Sequence, residues 1–207
     1  MSDGAVGNGA AGNGAAVNGA VVIGEDGRAR CPWGAAQPDY AAYHDQEWGV
    51  ALRGVPELYE RITLESFQSG LSWLTILRKR PAFREAFAGF DPEEVAAFDE
   101  DDRQRLLADA SIVRNRAKID AAITNARAVL DLDVPLDDLL WSFAPPRRPE
   151  SERPAALGDV PAITDESKAM AKELKRRGFV FVGPTTCYAL MQATGMVDDH
   201  LQHCWRA

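Results

Sequence analysis

From Pro56 onward the apolar positions recur at helical spacing. PELYERITLESFQSGL sets Leu58, Ile62, Leu64 and Phe67 near one face, and a proline in a first helical turn removes no hydrogen bond that the helix would make. Gly70 breaks that helix. SWLTILRKR follows, with Ser72 as its N-cap and Pro81 as its end, and PAFREAFAGF, DPEEVAAF and DEDDRQRLLADA read as three further short helices opened by Pro or Asp. SIVRNRAKIDAAITNARAVLDL repeats Ile112, Ile119, Ile123, Ala126 and Leu130 at the same period and is predicted to be the longest helix. Residues 144–162, APPRRPESERPAALGDVPA, are Pro-rich and polar, hence a surface loop. DESKAMAKELKRRG starts at Asp165 and stops at Gly178, with Lys and Arg in the last turn where the helix dipole favours them. FVFVGPTTCYALMQATG predicts a short extended piece, a Gly-Pro break and a helix that ends at Gly195. No series of alternating strands exists. The fold class is all-α.

The two ends differ in kind. Residues 1–29 are built from Gly, Ala and Asn with a repeated GNGAA element, which offers almost nothing to pack, so a disordered tail is expected there. At Arg30 the composition changes, and Trp33, Tyr40, Tyr43 and Trp48 follow within twenty residues. Residues 30–207 therefore form the folded unit, a length suited to one core. The formal charge of −8 argues against bulk electrostatic coating of nucleic acid. No apolar run approaches the about 20 residues that cross a bilayer, and the first residues lack a targeting pattern. A cytoplasmic protein is expected, and three scattered cysteines fit a reducing compartment.

The cysteines gain interest from their neighbours. Cys31 is followed thirteen residues later by His44, and His200 four residues later by Cys204. An i, i+4 pair places two ligands on one face of a helical turn, within reach of one tetrahedral ion. Taken singly, each reads better as an ordinary buried Cys or surface His. Taken as four, in a chain with only three Cys and three His, they point to zinc. The halves lie more than 150 residues apart, so this is not a zinc-finger module. His203 is poorly spaced for shared ligation with Cys204, and Cys187 reads as core. A closed four-ligand site is structural, clipping the two ends of the chain together.

CPWG (31–34), YHDQEWGV (43–50), LESFQSGLSWLTILRKR (64–80), FDPEEVA (90–96), IVRNRAKI (112–119), WSF (141–143), RRGFVFVGPTTCYALMQATGMVDDH (176–200) and Cys204 run in order through nearly all of residues 30–204. Together they resemble the DNA-3-methyladenine glycosylase I family. The resemblance implies a helix-hairpin-helix glycosylase fold with one structural zinc on Cys31, His44, His200 and Cys204. It implies a monofunctional enzyme acting as a monomer on alkylated double-stranded DNA, with no membrane and no nucleotide cofactor. The hairpin maps to LLADASIVRNRAKI, where the family has Gly and this chain has Ser111. If that position needs a positive φ, Ser costs about 1 kcal/mol. Such a hairpin offers backbone N–H groups and a helix N-terminus to a phosphate. Arg114, Arg116 and Lys118 add a cationic cluster, which reads equally as a solvated face.

A base inside a duplex must be extruded into a pocket that stacks its faces and hydrogen-bonds its edge. By the resemblance, Tyr43 and Trp73 line the flipped purine, Tyr40 and Trp33 complete the wall with Trp48 counted among them, and Glu65 accepts hydrogen bonds from the purine edge. Without the resemblance Glu65 would read as a surface residue. Leu71, after Gly70, is the matching wedge for the gap in the stack; its other reading is a core leucine. Ser66 and Ser69 stand where the family often has Gly and Ala, bringing hydroxyls close to Glu65. No Asp is assigned to the attacking water. Two other readings remain open: the same fold acting on a different or bulkier alkylpurine, and a non-catalytic zinc-stabilised DNA-binding protein.

Overall fold

The computed structural model describes residues 20–207. The elements are β1 (Val22–Ile23), β2 (Ala29–Arg30), α1 (Pro38–Gln46), α2 (Val55–Gln68), α3 (Trp73–Ala86), α4 (Pro92–Ala96), α5 (Glu100–Ala108), α6 (Arg116–Leu130), α7 (Leu136–Trp141), α8 (Asp165–Arg176) and α9 (Pro184–Ala193), with short 3-10 turns between them. The all-α expectation is met: among the described residues the only sheet is the antiparallel β1–β2 ribbon.

The ribbon corrects the expected tail. Val22 pairs with Arg30 and Ile23 with Ala29, so order begins well before residue 30; residues 1–19 lie outside the described ones. Two things compensate for the weak packing of this segment. Arg30 is gripped by Asp26 at 2.6 Å and Asp45 at 2.7 Å, and the Trp205 amide donates to the Ala29 carbonyl at 2.8 Å.

Helix α2 runs through the middle, burying Leu58, Tyr59, Ile62, Leu64 and Phe67 against α3, α6, α7 and α9. Tyr59 donates to the Ala122 carbonyl of α6 at 2.9 Å, so even its hydroxyl is satisfied inside the core. Phe67, Phe83, Phe87 and Phe90 form a chain of ring contacts. That packing overturns one expectation: α3 does not end at Pro81 but continues to Ala86. Proline removes one backbone donor, while burial of Phe83 and Ala86 draws the following turn onto the core.

The predicted longest helix is shorter than its pattern. Residues 111–115 are a turn, and α6 starts at Arg116, where the Asn115 side chain accepts from the Lys118 amide at 3.1 Å. Ile112 is buried from outside the helix, so an apolar residue in register with the helical series does not belong to it. Helices α1 and α7 gave no pattern of their own. No helix among the described residues is long and apolar enough to cross a membrane.

Candidate active site and metal centre

Glu65 lies in the last turns of α2, 5% exposed. Burial pushes its carboxyl up to about 7, against a downward pull from Arg61, and no hydrogen bond enters that balance. A buried acid without a donor is costly unless a ligand completes it. Around it stand rings from three elements. Tyr43 on α1 and Trp73 at the start of α3 have centroids 5.5 Å apart. Trp33, in the turn before α1, lies 5.6 Å from Tyr40 and 6.3 Å from Tyr43. Tyr40 accepts from the Leu74 amide at 3.0 Å, tying α1 to the first turn of α3. The Trp73 Nε1 is buried with no acceptor among the described residues, a second polar atom left open, on the ring that packs against Tyr43.

Arg61, one turn before Glu65, escaped the sequence reading. Its guanidinium lies 5.6 Å from the Tyr43 ring and 5.8 Å from the Trp73 ring, and donates to the Tyr43 hydroxyl at 3.3 Å. Glu47 accepts from Arg61 at 3.5 Å and from Arg80 at 2.5 Å. The available signal was a charged residue on the apolar face of α2, four positions before another.

Trp48 has ring contacts to Trp33 at 5.0 Å, His44 at 6.5 Å and His200 at 4.7 Å, so it stands between the aromatic wall and the histidine cluster.

That cluster is Cys31, His44, His200 and Cys204, all buried, with one ligand atom from each lying within 4.8 Å of the others. Cys204 Sγ is 3.4 Å from His44 Nε2 and 3.6 Å from His200 Nδ1, and Cys31 Sγ is 3.9 Å from His200 Nδ1. A tetrahedral ion held by S and N donors puts those edges at roughly 3.6 Å. The other nitrogens are also satisfied: His44 Nδ1 meets Asp45 at 2.8 Å and His200 Nε2 meets the Trp48 carbonyl at 3.2 Å, the outer partners that orient metal-bound imidazoles. The donor set fits a metal ion. The expected helical turn does not carry it; His200 and Cys204 come together through successive turns with His203 at φ 69.

The remaining candidates separate. Gly70 has φ 81, and Leu71 after it is 41% exposed, not a core leucine. Arg114 is exposed with no ion pair among the described residues, whereas Arg116 is paired to Glu100 at 3.0 Å. Lys118 is corrected: it is buried and donates to the Phe67 carbonyl at 2.8 Å and the Ser69 carbonyl at 2.5 Å. A lysine so placed caps the end of α2 and is not available to a phosphate. Ser111 is absent from the positive-φ residues, so the expected strain does not arise; its amide and hydroxyl both donate to Asp109. Ser66 donates to the Ile62 carbonyl at 2.8 Å and the Phe181 carbonyl at 3.3 Å, and Ser69 is exposed. Neither hydroxyl bonds to Glu65.

The sequence model of the methyladenine glycosylase family matches residues 33–207. DNA-3-methyladenine glycosylase 1 of Escherichia coli is 47% identical over 178 residues, covering 84% of this chain and 95% of that protein. The corresponding Haemophilus influenzae protein is 44% identical, covering 84% and 96%. A structure of 3-methyladenine DNA glycosylase I from Staphylococcus aureus, described as the basis of 3-methyladenine recognition, superposes with a TM-score of 0.80 at 35% identity, covering 85% of this chain and 95% of that one.

Proposed function

The chain belongs to the methyladenine glycosylase family, and from that premise we propose that it extrudes 3-methyladenine from alkylated duplex DNA and hydrolyses its bond to deoxyribose. The observation that carries this reading is Glu65, a buried carboxylate without a donor whose charge acts on Tyr43, the ring packed against Trp73 with its unpartnered indole N–H. The faces of Tyr43 and Trp73 receive the purine, with Tyr40 and Trp33 behind them, and Glu65 accepts from its amino-bearing edge. Methylation at N3 makes the purine an electron-poor leaving group. As the C1′–N9 bond breaks, its electron pair neutralises the base, water adds at C1′, and a proton is released. The carboxylate attracts the cationic base, whereas an unmodified purine forfeits that attraction.

The fold is read as a helix-hairpin-helix in which α5, the turn at residues 109–115 and the N-terminus of α6 face a phosphate, with Arg114 beside them. Gly70 and Leu71 fill the gap in the stack. Cys31, His44, His200 and Cys204 hold one structural zinc, which when bound fixes the segment carrying Tyr43 against the chain's end. Three free, buried cysteines suit a cytoplasmic enzyme.

The test is release of free base from methylated duplex DNA, separated by chromatography. The expected product is 3-methyladenine, lost in Glu65→Gln and in Trp73→Ala while both remain folded. Release of another adduct without 3-methyladenine would overturn the substrate, and unaltered release by both variants would overturn the site.

A further inference from the structure

Extruding a purine from a duplex opens a gap larger than one leucine side chain fills, and stacked bases on either side are best met by an apolar or aromatic surface. The end of α2 that leads into the Leu71 turn also holds such a side chain through Ser66. Phe181 is 43% exposed and its neighbour Val180 39%, though Phe179 and Val182, which flank the pair, are each 2% exposed. Its φ of 58 lies in the left-handed region, which a phenylalanine adopts only when its surroundings hold it there.

Those surroundings are specific. Asn125 of α6, fully buried, accepts from the Val180 amide at 2.8 Å and donates to the Val180 carbonyl at 3.1 Å. Ser66, next to Glu65 in the chain, donates to the Phe181 carbonyl at 3.3 Å. Two turns earlier on α6, Lys118 holds the Phe67 and Ser69 carbonyls that lead into Gly70 and Leu71. The same two helices, α2 and α6, therefore fasten both turns, each of which ends on an exposed apolar side chain.

We propose that Phe181 is a second apolar contact to duplex DNA, packing against the base stack beside the extruded nucleotide while Leu71 enters the gap. The occupant is DNA because the Phe181 backbone is tied to Ser66, the chain neighbour of Glu65, and α6 holds both this turn, through Asn125, and the turn that leads to Leu71, through Lys118. This rests on the reading that the pocket receives an extruded purine. In this arrangement Ser66 serves as a positioning residue for the Phe181 backbone.

The probes are a duplex carrying a single tetrahydrofuran abasic site, titrated by fluorescence anisotropy, and free 3-methyladenine, titrated by tryptophan fluorescence. Phe181→Ala is expected to weaken duplex binding by about tenfold or more, with free-base affinity within twofold of the wild type. Phe181→Leu recovers part of the duplex affinity. Phe181→Gly relieves the left-handed strain, so it melts above Phe181→Ala yet binds duplex as weakly. Duplex affinity unchanged in Phe181→Ala overturns the proposal, as does an equal loss of free-base binding. A wild-type protein that binds the abasic duplex but releases no 3-methyladenine fails the reading of the pocket alone; the Phe181 comparison then still decides the contact.

Discussion

Arg61 and Glu65 stand one turn apart on α2, both buried, with the guanidinium over the Tyr43 and Trp73 rings and the carboxylate without a donor. Burial outweighs the pull of Arg61 and raises the Glu65 carboxyl from 4.5 to about 7. The folded chain thus keeps a proton that the unfolded chain has released. The stability contributed is full below pH 4.5 and is lost as the pH rises through about 7. Glu65→Gln removes that loss, so above pH 7 it is expected to be more stable than the parent by roughly 3 kcal/mol at most, with the difference vanishing in acid. Denaturant melts at both ends of the range check this. Activity moves the other way: kcat/KM for base release by the parent rises with pH through an apparent pKa of about 7.

The metal reading is testable through a residue that is not a ligand. Asp45 meets His44 Nδ1 at 2.8 Å and is also held by Arg30 and by the Trp205 indole. Purified protein is expected to carry one zinc per chain by elemental analysis. Asp45→Asn should lower zinc affinity by roughly 10- to 100-fold, read by competition with a chromogenic chelator. Metal removal should release protection of backbone amides at 22–30 and 200–207 first, because β2 and the C-terminus meet at the Trp205 to Ala29 bond. Protein free of zinc on isolation would sink the assignment.

Much of this was legible in one dimension. The helical face of Leu58, Ile62, Leu64 and Phe67 and the capping residues Ser72 and Asp99 lie within single elements, so local chemistry reveals them. What stayed hidden depends on distant partners. Helix α1 has Tyr43 and His44 buried and Pro38 at its start, but its rings meet Trp33 and Trp73 from outside the helix, which blurs its period. Pro81 read as a stop because nothing local announces the Phe67 and Phe87 rings that pack on Phe83. Lys118 read as a surface cation because its acceptors, the Phe67 and Ser69 carbonyls, lie about fifty residues earlier. The metal set was legible because its chemistry needs only residue type, and its closure through turns did not affect that.

Lys118 and Arg114 should separate in salt. Arg114 is exposed and without an ion pair among the described residues, so Arg114→Ala is expected to reduce the slope of log affinity against log salt for duplex DNA by about 1. Lys118→Met should leave the slope unchanged. It leaves two carbonyls at the end of α2 without their donor, and the expected effect is a lower melting temperature and slower base release. A reduced salt slope for Lys118→Met would return that residue to the phosphate-binding surface.

The turn at Gly70 and Leu71 permits a cleaner dissection, because its two residues contribute differently. Leu71 is 41% exposed, so Leu71→Ala removes little buried area and should change stability by less than about 0.5 kcal/mol. If the side chain enters the base stack, the same change should slow release from duplex DNA by about tenfold or more while leaving free 3-methyladenine binding untouched. At Gly70 a Cβ would meet nothing within 4 Å, but φ is 81. Gly70→Ala therefore meets no clash and carries only backbone strain of about 1 kcal/mol, a fall of about 2–4 °C in Tm. Calorimetry on both variants with single-turnover release from methylated duplex tells them apart. A leucine variant that melts early, or that releases base at the parent rate, would mean that Leu71 only packs the turn and that the stack is filled from elsewhere.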